Sequence, residues 1–193
     1  AATSRSERNL AFAAILAALL LTALDQNIVG NVLPRIVNEI GGVHLYAWVI
    51  SGYLLTSTIA VPIAGKLGDM YGRKIVLLLG IGILAGGGTL AAFGTSMAAI
   101  LATRALQGIG AGFLQASAFA TIGDLLAPSE RGRYTGLFSA AYAFATMVGP
   151  LMGGLIADHF GWRWVFLLDL PLGIIAAFAI VRGLPTNSRS SAA

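Results

Sequence analysis

Three ionisable side chains stand inside long apolar runs: Asp25, Arg104 and Asp169. A charged group at the centre of a bilayer costs about 2.5–3.5 kcal/mol on insertion scales, so its presence there usually marks a path for protons, ions or solute. Asp25 has polar neighbours in Thr22, Gln26, Asn27 and Asn31. Arg104 has Gln107 and Gln115 on nearly its own helix face, because 3 and 11 residues are close to whole turns. A polar stripe on an otherwise apolar helix suits a cavity better than lipid. Gln26, Asn27, Asn31, Gln107 and Gln115 are therefore the candidate cavity residues. The chemistry open to a carboxyl in such a place is proton exchange. Burial disfavours a carboxylate and a nearby guanidinium favours it, so a site alternating between the two takes up and releases a proton. The proton-coupling candidates are Asp25, Arg104 and Asp169. The competing readings are an acid satisfied by neighbouring helices, a structural salt bridge and, for Asp169, snorkelling to a nearby interface.

A second concentration of charge lies in Gly65-Lys66-Leu67-Gly68-Asp69-Met70-Tyr71-Gly72-Arg73-Lys74, four charges in ten residues between two apolar runs. Gly68 and Gly72 form a small-xxx-small pair, which allows close backbone approach. Asp69 and Arg73 are spaced i, i+4 and can pair if helical geometry persists. Asp124 and the Glu130-Arg131-Gly132-Arg133 segment fall at span ends on the same side. Asp69, Arg73, Asp124 and Arg133 are thus expected to form one gating charge network. Gly149, Pro150, Gly153 and Gly154 occupy one apolar run. Proline removes a backbone hydrogen bond and tends to kink a helix, so this group reads as a bend at a moving, close helix contact.

The elements that must position these groups are membrane spans. Of 193 residues 57% are hydrophobic and 10% charged, against about 25% charged in a soluble domain. Six apolar runs, roughly 10–34, 45–64, 75–93, 97–122, 134–156 and 164–181, approach or exceed the ~20 residues that cross a bilayer. The first is too long for a signal-peptide core of about 7–15 residues. The predicted fold is an all-α membrane protein: a polar tail over 1–8, a six-helix bundle over 9–184 and a polar tail or linker over 185–193. With the N-terminus cytoplasmic, that side carries nine of the twelve basic residues, and the other only Arg35 and Arg163. This positive-inside bias predicts both termini in the cytoplasm. Asp25 stands nine residues before Pro34 and Arg104 eight after Ser96, so at ~1.5 Å per residue their depths match and the two can meet. There is no cysteine, no nucleophile–His–acid set, and no basic patch with interleaved aromatics for nucleic acid. Gly108, Gly110 and Gly112 are not a phosphate loop, because no strand precedes them.

With these stretches in hand the chain resembles the amino-terminal six-helix half of the major facilitator superfamily, and is most similar to its fourteen-helix drug/proton antiporter branch. The resemblance spans about 23–184. It rests on Leu24-Asp25-Gln26-Asn27-Ile28-Val29 with Leu33-Pro34, on Gly65 to Lys74, on Arg104 to Gly112, on Gly149-Pro150 with Gly153-Gly154, and on Trp162-Arg163-Trp164 with Leu170-Pro171. It implies two inverted three-helix repeats, a substrate site near the midplane between two halves, and alternating access. It implies that Asp69 faces a helix end in the other half, that Arg73 pairs with Asp124, and that Arg104 supports proton coupling. It implies no cofactor, the proton gradient being the energy source. Partners would be the lipid bilayer, a missing carboxy-terminal six- or eight-helix half or a second copy, and a small amphipathic or cationic substrate. A bacterial inner-membrane location follows from the same resemblance. The branch usually has Thr at Asn27, Asn at Gly30 and Asn at Asp169, so this chain carries an extra intramembrane acid. A self-associating six-helix unit without transport, and a lipid or metabolite transporter on the same scaffold, stay open at this point, because fold does not fix substrate.

Overall fold

The computed structural model describes residues 5–125 and 128–184, and within these the side chains of 5–9, 125 and 128–131 are left aside. The helices are α1 (Arg5–Ile40), α2 (Tyr46–Tyr71), α3 (Arg73–Ala92), α4 (Met97–Leu125), α5 (Pro128–His159), α6 (Arg163–Leu167) and α7 (Asp169–Gly183). Six stretches are long and apolar enough to cross a membrane, the last formed by α6 and α7 together. Helices suit this composition because a spanning segment must satisfy its backbone polar groups internally. No strand is present among the described residues.

Several boundaries differ from the sequence reading. Helix α1 starts at Arg5, inside the stretch expected as a tail, and runs through Pro34 to Ile40. It stops where Gly41 and Gly42 take φ of 75° and 80°, a left-handed conformation that costs little only in glycine. Pro150 does not break α5, which continues from Pro128 to His159. The sixth span, expected to be continuous, is interrupted at Leu168. Pro171 has no N–H to offer the Leu167 carbonyl one turn back, and helical bonding resumes with Leu172 donating to Leu168 at 3.3 Å. The expected tail over 185–193 lies outside the described residues.

Apart from α3 with α4, consecutive helices are not the main neighbours. Helix α4 packs along α2 and α3, α1 packs along α5 and α7, and α3 meets α7. Exchanging the first three spans with the last three turns the α2–α4 contact into α5–α1 and the α3–α4 contact into α7–α1. The packing therefore repeats after three spans, and three reversals of direction make the repeat inverted. Missing side chains set the closest approaches. A Cβ on Gly110 would lie 2.6 Å from the Leu84 nitrogen and 2.7 Å from the Gly80 carbonyl oxygen. One on Gly153 would lie 3.0 Å from Ile28 and 3.2 Å from its carbonyl oxygen. These small residues let α4 seat against α3, and α5 against α1.

Candidate functional site

Four spans bring their polar residues to one buried point. Helix α1 supplies Asp25, α4 supplies Arg104 and Gln107, α2 supplies Tyr53, and the first turn of α7 supplies Asp169. Asp25, Arg104 and Asp169 are each 3% exposed and Gln107 is fully buried. Arg104 Nη1 donates to both Asp25 carboxylate oxygens at 2.8 Å and to Gln107 Oε1 at 2.9 Å. Gln107 Nε2 donates to Asp169 Oδ2 at 2.8 Å and to Asp25 Oδ1 at 3.3 Å. The guanidinium lies 4.2 Å from the Tyr53 ring centroid, a cation–π contact. Gly88 on α3 makes room, since a Cβ there would meet Asp169 Oδ2 at 2.5 Å and Gln107 Nε2 at 3.0 Å.

The matching depths of Asp25 and Arg104 are realised as a direct ion pair. Asp169 does not snorkel, because the break at Leu168 sets it inside the bundle. Gln107, expected in the cavity, instead bridges the two carboxyls. The 3-residue spacing from Arg104 was the right signal read toward the wrong neighbour. Tyr53 went unnoticed, because no polar stripe on α2 singles out one ring.

The cavity lies beside this cluster, between α1, α4 and α5, and holds about 290 Å³. Its walls carry Thr22, Gln26, Gln115, Thr135, Ser139 and Tyr142 with the rings of Phe119 and Phe138. Among the described residues no carboxylate, lysine or arginine lines it. Of the expected cavity residues, Gln26 and Gln115 are there. Asn27 and Asn31 are not, since each side-chain amide donates to a carbonyl of its own helix, at Ala23 and Asn27. Tyr142 donates to Gln26 Oε1 at 3.4 Å. Thr135, Ser139 and Tyr142 are spaced by four and three residues, a helical stripe legible in the sequence that marks the α5 wall.

At the Gly72 end of the bundle, Arg73 reaches Asp69 at 2.6 Å and Asp124 at 3.5 Å, and donates to the Gly65 carbonyl at 3.3 Å. Gly72 turns the chain with φ of 96°. The absent side chain of Gly68 seats the guanidinium, with Arg73 Nη1 only 2.7 Å from where a Cβ would be. Its role is thus to hold Arg73 rather than to bring two helices together. Arg133 is exposed and makes no ion pair with a described residue. Gly65 and Gly154 face open space, while Gly149 meets Asn27. Lys74, which sequence reasoning counts only among the charges of the loop, donates to the Val181 and Leu184 carbonyls at 2.8 and 2.7 Å and so caps α7. At the opposite end Glu39 accepts from Trp162 and Arg163, both at 2.8 Å, and Arg35 pairs with Asp158.

A model of the major facilitator superfamily matches residues 15–193. The chain belongs to the major facilitator superfamily. Relatives within this superfamily include the multidrug transporter protein MdtP of Bacillus subtilis, 42% identical over 93% of this chain and 33% of its own length. Multidrug resistance protein 3 of the same organism is 38% identical over 87% of this chain and 33% of its own. The MFS-type transporter gkaD of Penicillium citrinum is 36% identical over 92% and 31%. The chain spans about a third of the length of these relatives. As a superfamily member it carries six helical stretches long and apolar enough to cross a membrane.

Proposed function

We propose that the chain is the amino-terminal half of a proton-coupled exporter of amphipathic or cationic compounds, working by alternating access. The observation that carries this is the Asp25–Arg104 ion pair with Asp169 attached through Gln107, sealed among apolar helices. Buried ion pairs seldom add net stability, whereas intramembrane carboxyls recur in proton relays. Two relatives are named as multidrug transporters or resistance proteins, which supports an export role. The cavity suits amphipathic solutes: rings offer apolar surface and uncharged hydroxyls and amides offer hydrogen bonds. A cationic solute would find its counter-charge at Asp25, the residue before Gln26. Asp69, Arg73 and Asp124 would brace the cytoplasmic end, Arg133 standing apart. The energy source is the proton gradient, with no cofactor. The membrane is the bacterial inner membrane, with both termini cytoplasmic as the basic residues favour.

The complement is a second half or a second copy. Helices α2 and α5, which exchange under the internal repeat, both leave apolar faces open: Leu54, Ile59 and Ile63 on one, Met147, Leu151 and Leu155 on the other. Light scattering in nanodiscs, corrected for lipid, separates monomer from dimer. The function is tested with the full-length transporter in proteoliposomes, following proton-driven movement of a fluorescent amphipathic cation. Asp25→Asn is expected to abolish coupled movement while leaving the protein folded. Unchanged coupling sinks the assignment of Asp25 as the proton-coupling acid.

A further inference from the structure

We infer that Asp25 and Asp169 hold a single proton between them across the Gln107 amide, so that the proton site is an acid pair drawn from the first and sixth spans. This rests on the proton-coupled reading and gives that site its stoichiometry.

The charges are two carboxyls and one guanidinium, all 97% buried. Arg104 spends one nitrogen on both oxygens of Asp25, and its Nε is buried without a partner. Asp169 meets no cation among the described residues within ion-pair distance. Its hydrogen bond comes from a neutral amide. That amide nitrogen touches both acids, at 2.8 and 3.3 Å, so the two oxygens lie no more than about 6 Å apart. Among the described residues the surrounding groups offer no second positive charge. Tyr53 faces the cluster from α2, Gly88 from α3 and the Phe166 carbonyl from α6. Asp169 opens α7, and the helix dipole favours its charge by about 0.3–1 kcal/mol, up to ~2 in partly buried sites. An uncompensated buried charge costs several kcal/mol, so neutralisation wins. One proton leaves the cluster neutral. A second would leave Arg104 unpaired.

The experiment is infrared difference spectroscopy of the intact protein in nanodiscs, reading the protonated-carboxyl C=O band at neutral pH. Wild type is expected to show one such band assigned to this site, and both Asp25→Asn and Asp169→Asn remove it. Each variant leaves one carboxyl for one guanidinium. Arg104→Gln is expected to raise the band about two-fold. Should a variant fail to fold, Gln107→Met removes the bridge and no charge, and shifts the band to that of an isolated acid. The inference is overturned if the band is absent from wild type, survives Asp169→Asn, or ignores Gln107→Met. If both variants lose the band yet Asp25→Asn leaves efflux proton-coupled, the acid pair stands and its role in coupling falls. If Asp25→Asn abolishes coupling but the band ignores Asp169→Asn, the pair falls and the antiport reading stands.

Discussion

Asp25→Asn and Asp169→Asn, made singly and together, form a cycle that tests how the cluster is held. Asp25→Asn removes the carboxylate that accepts twice from Arg104. Hydrogen bonds to charged groups contribute about 1.5–3 kcal/mol each. Part of this loss is offset because Asp169 sits one amide away and takes over as counter-ion, so about 1–2 kcal/mol is expected. Asp169→Asn keeps an oxygen for Gln107 Nε2, and its loss should resemble an ordinary interhelical hydrogen bond in a membrane, about 0.6 kcal/mol. The double variant leaves Arg104 buried with no carboxyl in reach. Breaking a buried pair in this way costs about 3–5 kcal/mol. The double loss should therefore exceed the sum of the singles by about 1–2 kcal/mol, within the range for contacting residues. The assay is reversible unfolding by SDS titration in mixed micelles, followed by tryptophan fluorescence. Additivity within ~0.5 kcal/mol, the behaviour of independent sites, would refute the shared counter-ion.

Other outcomes follow from the packing and the loop. Gly110→Ala drives a Cβ into backbone atoms of α3 that cannot swing aside, and overpacking of this kind costs about 1–3 kcal/mol. Gly154→Ala meets open space and should stay within about 0.5 kcal/mol of wild type in the same titration. Arg73→Ala releases Asp69, Asp124 and the Gly65 carbonyl together, so amide hydrogen exchange over 65–72 should speed several-fold. Asp124→Asn, at an exposed 3.5 Å contact, should change it little, because exposed pairs contribute about 0–1 kcal/mol.

Much of this protein is legible one segment at a time. Backbone groups in lipid must be satisfied within the segment, so apolar run length alone gives six helices. An acid or guanidinium in such a run is costly wherever it points, so Asp25, Arg104 and Asp169 stand out without coordinates. The match of Asp25 to Arg104 needs only the rise per residue, whereas Asp69 and Arg73 pair across the non-helical turn at Gly72 rather than along one helix. Partner choice is a different matter. Period 3.6 gives each helix its faces but not the order in which faces meet, and here neighbours in sequence are mostly not neighbours in space. Only the tertiary structure turned Gln107 from the cavity to the two acids, set Tyr53 over Arg104, and carried Lys74 to the end of α7. Asp169 shows the boundary between the two. Its presence is a fact of sequence. Its burial depends on a break induced by Pro171 two residues further on and on a space that Gly88 leaves open on another helix.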